Sequence, residues 1–215
     1  MNRNETVAPL IVIEGPEKSG KTTLARAIGV AGAPAVLLRC DRHGDDPVHR
    51  PFNERLMMEY YGQILAAAMK ARETGKAAIL DGHWLRHVAE GAAGETLRAG
   101  ALFNFRGQFE PYLNALGVFY VFAIDPRSIE IALANPDPEN PRDRMHLEKV
   151  LSAYTFEQQL LWTRPDPRCI AYHWSVHGAT AKNLDDFARL VLSLAAAPAP
   201  KPVRNGSDHS TSSPF

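Results

Sequence analysis

The chain is short of the features that would settle its class outright, and each shortage removes possibilities. It has two cysteines, Cys40 and Cys169, without C-x-x-C spacing. That excludes a disulfide scaffold, a zinc knot and dithiol redox chemistry, and both thiols are expected to be free and buried. Neither sign of charge is in excess: 24 Lys and Arg face 24 Asp and Glu. No global field draws the molecule to nucleic acid or an anionic membrane, so any polyanion contact has to be local. No apolar run approaches the ~18 residues of a membrane span, and the opening M-N-R-N-E-T-V-A-P lacks an apolar signal core. The expectation is a soluble, cytoplasmic protein without membrane partners. An N-K-x-D run after a strand, which guanine recognition would need, is also missing.

What is present is ordinary globular composition, 45% hydrophobic and 22% charged over 215 residues, enough for one compact domain. That domain is expected to occupy residues 1–196. The tail, 197–215, is rich in Pro, Ser and polar residues and is expected to be disordered. Apolar β-branched runs at 7–14, 35–40, 76–83, 118–126 and 169–173 read as strands. Helical spacing follows the first run to Gly29 and recurs over 52–74, 145–163 and 181–196. The stretch 84–116 is helical in tendency but broken by glycines, and the Pro- and charge-rich 134–144 reads as a connection. Alternating strands and helices predict an α/β fold, a parallel sheet with helices on both faces.

Between the first strand and the first helix stands G-P-E-K-S-G-K-T, Gly15 to Thr22. Each position of a G-x-x-x-x-G-K-[ST] run has a mechanical duty. Gly15 and Gly20 let the backbone curl so that successive N–H groups point into one concavity, and the helix that follows adds its positive end. Pro16, Glu17, Lys18, Ser19 and Thr23 complete the loop. Lys21 would neutralise charge on a transferred phosphoryl group, and Thr22 would offer its hydroxyl to Mg²⁺. The predicted ligand is ATP with Mg²⁺, held in the cradle of a P-loop NTPase.

Beyond this motif the chain resembles the thymidylate kinase family, including its phage-encoded branch, up to about Leu194. The resemblance rests on Glu14, Gly15, Glu17, Gly20, Lys21, Thr22 and Thr23 in the loop, on a long helix before a strand ending at Asp81, and on A-I-D-P at 123–126. It rests also on P-R-D-R-M-H-L-E-K-V-L-S-A-Y at 141–154. It implies a kinase in which Arg142 and Arg144 lean over the phosphates, Asp81 serves as a Mg²⁺ ligand or general base, and Glu17 and Arg39 lie near the acceptor. More loosely, F-N-F-R-G-Q-F at 103–109 sits where the family reads a pyrimidine, with Phe105, Arg106 and Gln108 as the candidate contacts. A homodimer is among the assemblies it admits.

One departure stands out. The family carries an arginine after Asp81's position to hold the acceptor's 5′-phosphate, and this chain has Gly82. A lost charge-assisted bond to phosphate costs about 1.5–3 kcal/mol unless Arg39, Arg42, Arg50 or Arg86 replaces it. Without a replacement the acceptor is expected to be an alcohol: the 5-hydroxymethyl group of 5-hydroxymethyldeoxyuridine in phage DNA, as in a branch of the family, working in the host cytoplasm. His83 and Trp84 would then line the site of an exposed base. The alternatives are a kinase for a pyrimidine deoxynucleoside monophosphate, and a nucleotide-binding ATPase or regulator without an acceptor.

Overall fold

The protein is described by a computed structural model over residues 7–32, 34–39, 54–94, 99–136, 141–164, 167–177 and 180–197. Its strands are β1 (Leu10–Glu14), β2 (Ala35–Arg39), β3 (Ala77–Asp81), β4 (Phe119–Ala123) and β5 (Cys169–Tyr172). They form one sheet in the order β2-β3-β1-β4-β5, parallel at every pairing. All five predicted strands are present, trimmed at their ends.

The helices are α1 (Lys21–Val30), α2 (Glu54–Glu73), α3 (Leu85–Gly94), α4 (Ala99–Ala115), α5 (Arg127–Ala134), α6 (Arg144–Trp162), α7 (Trp174–His177) and α8 (Ala181–Ala196). The glycine-broken stretch resolves into α3 and α4. Two helices were not expected from sequence. α5 lies between the fourth strand and the Pro-rich connection, and α7 is a single turn, too short to show a period. The Cys40 thiol, Arg42, Arg50 and the tail from 198 lie outside the described residues, as does the side chain of Phe105. Cys169 is a free, half-buried thiol that burial pushes up to about 11, so it stays protonated near neutrality.

β1 is central and wholly buried, and its side chains alternate between two cores. Leu10 and Val12 join Ala78, Leu80, Tyr120 and Phe122 in packing against α2, α3, α4 and α6. Ile11 and Ile13 join Ile79, Val121 and Ala123 against α1 and α8. This period of two, buried on both faces, is what a parallel strand between two helical layers dictates. Because every strand runs the same way, their carboxyl ends share one edge of the sheet. There stand Glu14–Gly15, Arg39, Asp81–Gly82 and, just past β4, Asp125. Open parallel sheets bind ligands in the crevice along this edge.

Candidate functional site

The turn from β1 into α1 uses conformations that ordinary residues avoid: φ is +151° at Gly15, +59° at Lys18 and +86° at Gly20. At Gly15 the reason is space as well as angle, since a Cβ there would lie 2.1 Å from the Ala123 carbonyl oxygen. The turn wraps the loop backbone around the amino end of α1, the setting in which free amides form a nest for anionic oxygens. Lys21 stands at its mouth, Nζ donating to the carbonyls of Gly15 (2.7 Å) and Pro16 (2.6 Å).

Thr22 donates from Oγ1 to Asp81 Oδ2 at 2.6 Å, joining the start of α1 to the end of β3. Arg39 Nε lies 3.7 Å from the same oxygen. A hydroxyl and a carboxylate side by side are the hard oxygen donors that Mg²⁺ accepts, with phosphate and water oxygens filling the remaining positions. These residues line a cavity of about 480 Å³ together with Glu17, Lys18, Gly82, Arg86, Glu90 and Tyr154.

Gly82 also has a backbone reason to be glycine. Its φ is +84°, its N–H continues the ladder to the Ile13 carbonyl at 2.9 Å, and the turn hands the next amide, His83 N–H, to Glu14 Oε1 at 2.9 Å. A Cβ at Gly82 would meet nothing within 4 Å. Glu14 itself is fully buried, its Oε2 has no hydrogen-bond partner among the described residues, and burial pushes its carboxyl up to about 8 against the pull of Lys21 and the His83 amide.

The structure departs from the predicted site at five residues. His83 and Trp84 do not face the cavity: both are buried in the core, where His83 packs on Tyr61 and Trp84 stacks on Phe109. Burial drives His83 down to about 4 and His87 to about 3, so both are neutral core imidazoles. Arg106 is paired with Glu157 and Glu110, and Gln108 is exposed to solvent; neither lines the cavity. Arg144 points away, its two terminal nitrogens on Glu130 at 2.8 and 3.0 Å in an exposed pair. Arg142 behaves differently. It is nearly buried, bonded to Glu90 at 2.7 Å and 3.5 Å from Glu17, both of which line the cavity.

Sequence reasoning missed two further parts. Trp174, opening α7, donates from Nε1 to the Ser19 carbonyl at 2.5 Å, and its indole lies so close over Gly20 that a Cβ there would be 2.5 Å from the ring. Asp125 anchors that turn by accepting from Ser175 N–H (2.5 Å) and Arg127 N–H (2.9 Å). Burial opposes its ionisation, but these bonds outweigh it and hold the carboxyl at about 2. Trp174, Arg127, Asp125 and Ile131 wall a second cavity of about 190 Å³ on the other side of the loop. Nothing local in W-S-V-H signals this, because the contact spans 155 residues.

No protein-family model matches the chain, and no curated protein does. Solved structures do. Deoxyadenosine kinase from M. mycoides with bound dATP superposes with a TM-score of 0.53 at 10% identity, covering 85% of this chain and 98% of that one. The same enzyme with bound dCTP gives 0.55 at 10%, covering 86% and 99%. Thymidylate kinase from Candida albicans gives 0.58 at 15%, covering 86% and 91%. At such identities the likeness is one of architecture, and with the parallel sheet and the loop geometry it fixes this chain as an α/β protein of the P-loop NTPase fold.

Proposed function

We propose that the protein is an ATP- and Mg²⁺-dependent phosphotransferase whose acceptor is a pyrimidine deoxynucleotide. The observation that carries this reading is one cavity lined by the phosphate loop, Lys21, the Thr22–Asp81 pair and two guanidinium groups, Arg86 and, beside Asp81, Arg39. The nest binds the β- and γ-phosphates. Lys21 exchanges its two carbonyl partners for phosphate oxygens, and Thr22 and Asp81 hold Mg²⁺, which offsets charge on the phosphates when bound. The donor's planar base fits the smaller cavity between Trp174 and Arg127. Arg142 completes the charge around the transferred group.

For the acceptor, the better supported class is a nucleoside monophosphate, because Arg39 and Arg86 flank Gly82 and supply cations where that residue has none. A second reading, transfer to the hydroxymethyl group of 5-hydroxymethyldeoxyuridine in phage DNA, is favoured by the open space beside Gly82. The deoxynucleoside kinase and thymidylate kinase neighbours accord with a small nucleotide acceptor. The test is transfer from γ-labelled ATP to dTMP, to 5-hydroxymethyldeoxyuridine monophosphate and to duplex DNA containing that base. Label on a free monophosphate supports the first reading, and label on DNA alone supports the second. ATP consumption with no labelled acceptor would overturn both.

A further inference from the structure

Glu90 appears in no motif, yet it sits where three parts of the molecule meet. It lies on α3 one turn beyond Arg86, lines the main cavity, and its side chain is 13% exposed. Its two oxygens are divided. Oε1 accepts from Arg142 Nη1 at 2.7 Å, and Oε2 faces His146 Nε2 at 3.2 Å. His146 belongs to the first turn of α6, where its backbone N–H is capped by Asp143 at 2.7 Å. Glu17 of the phosphate loop approaches the same Arg142 nitrogen at 3.5 Å. The guanidinium is therefore bracketed between the loop and α3, with α6 fastened to the same carboxylate.

Arg144 shows what this bracket changes. Two residues further on, it is paired with exposed Glu130, whereas Arg142 is nearly buried and lines a small cavity with Glu17 and Lys18 of the loop. An exposed pair restrains its members weakly, whereas a buried carboxylate and guanidinium hold each other, since either alone would be an uncompensated charge. Burial opposes ionisation of Glu90, but the bond from His146 and the charges of Arg142 and Arg86 keep its carboxyl below the usual range.

We propose that Glu90 is a positioning residue, whose carboxylate holds the Arg142 guanidinium against Glu17 of the phosphate loop before a triphosphate enters. The proposal rests on the phosphotransfer reading for its purpose, though not for its geometry. A guanidinium already in place costs less to order during transfer than one recruited from solvent.

Two measurements on the full chain test it. In steady-state transfer, Glu90→Gln should lower kcat about 10- to 100-fold with KM for ATP nearly unchanged. The double variant with Arg142→Ala should be no slower than Arg142→Ala alone, because Glu90 acts through Arg142. An unchanged kcat in Glu90→Gln, or losses that multiply in the double variant, would overturn the proposal. The second measurement needs no activity: the guanidinium N–H resonances of ¹⁵N-labelled protein, with Arg142 assigned from its Lys variant. In Glu90→Ala and Glu90→Gln the Arg142 resonances should move to the solvent-averaged position, with a lower Tm because the guanidinium loses its buried partner. Unmoved resonances would sink the assignment even if transfer is robust. A wild-type protein that transfers nothing, yet shows Arg142 locked by Glu90, would refute only the kinase reading.

Discussion

A methyl group on Gly15 would lie 2.1 Å from the Ala123 carbonyl oxygen, so the loop cannot hold its shape with any other residue there. Gly15→Ala is expected to cost about 1–3 kcal/mol and to abolish ATP binding by calorimetry. Gly82 presents the opposite case, with open space and only its left-handed φ of +84° to forbid a side chain. Gly82→Arg is expected to lower stability by about 1–2 kcal/mol. It should bring no tighter KM for a monophosphate acceptor, because Arg39 and Arg86 already line that cavity. Lys21→Ala should leave the fold intact and reduce transfer by about 10²–10³-fold with every acceptor, read from labelled phosphate. Its ammonium is held by two loop carbonyls, and an alanine cannot be handed from them to a phosphate.

At the scale of elements, α6 begins at a cap, Asp143, that stands between Arg142 and Arg144. Asp143 accepts from His146 N–H at 2.7 Å, and Asp143→Ala should cost about 1 kcal/mol in denaturant unfolding. The five strands and most helices were legible because burial on both faces leaves unbroken apolar runs, and because Gly29 and Gly75 punctuate the helices. α5 escaped notice beside the Pro-rich connection, although Pro126 at its amino end is a usable start signal. Spacing alone could point only to the part of the candidate site that lies in consecutive residues. Gly15 to Thr22 could be read from spacing, and Asp81 and Arg142 from resemblance. His83 and Trp84 follow Gly82 directly and so looked like site residues, yet the turn at Gly82 sends them into the core. Glu90 and Trp174 reach the site only through tertiary contacts of 52 and 155 residues' separation, which no local pattern encodes.

For the molecule as a whole, buried titratable groups set a narrow pH optimum. His83 and His87 fall from 6.5 to about 4 and 3 on folding, so their contribution is present above 6.5 and is lost as pH drops. Glu14 rises from 4.5 to about 8, so the folded state holds a proton that the unfolded chain has released, and stability declines as pH climbs through that window. Burial raises Glu157 in the same direction as Glu14, so the two imidazoles oppose these carboxyls below 6.5 and only the carboxyls act above it. Thermal unfolding is expected to show greatest stability near pH 6.5, with Glu14→Gln flattening the alkaline side. A second consequence follows from the indole that lies across Gly20. Ribosomes deliver the nucleotide-binding motif early and Trp174 late, so a nascent chain that ends before β5 spells the whole motif yet lacks the surface that moulds it. Such a truncated product would be unable to sequester ATP during translation, and competence would arrive only when the last strand joins the sheet.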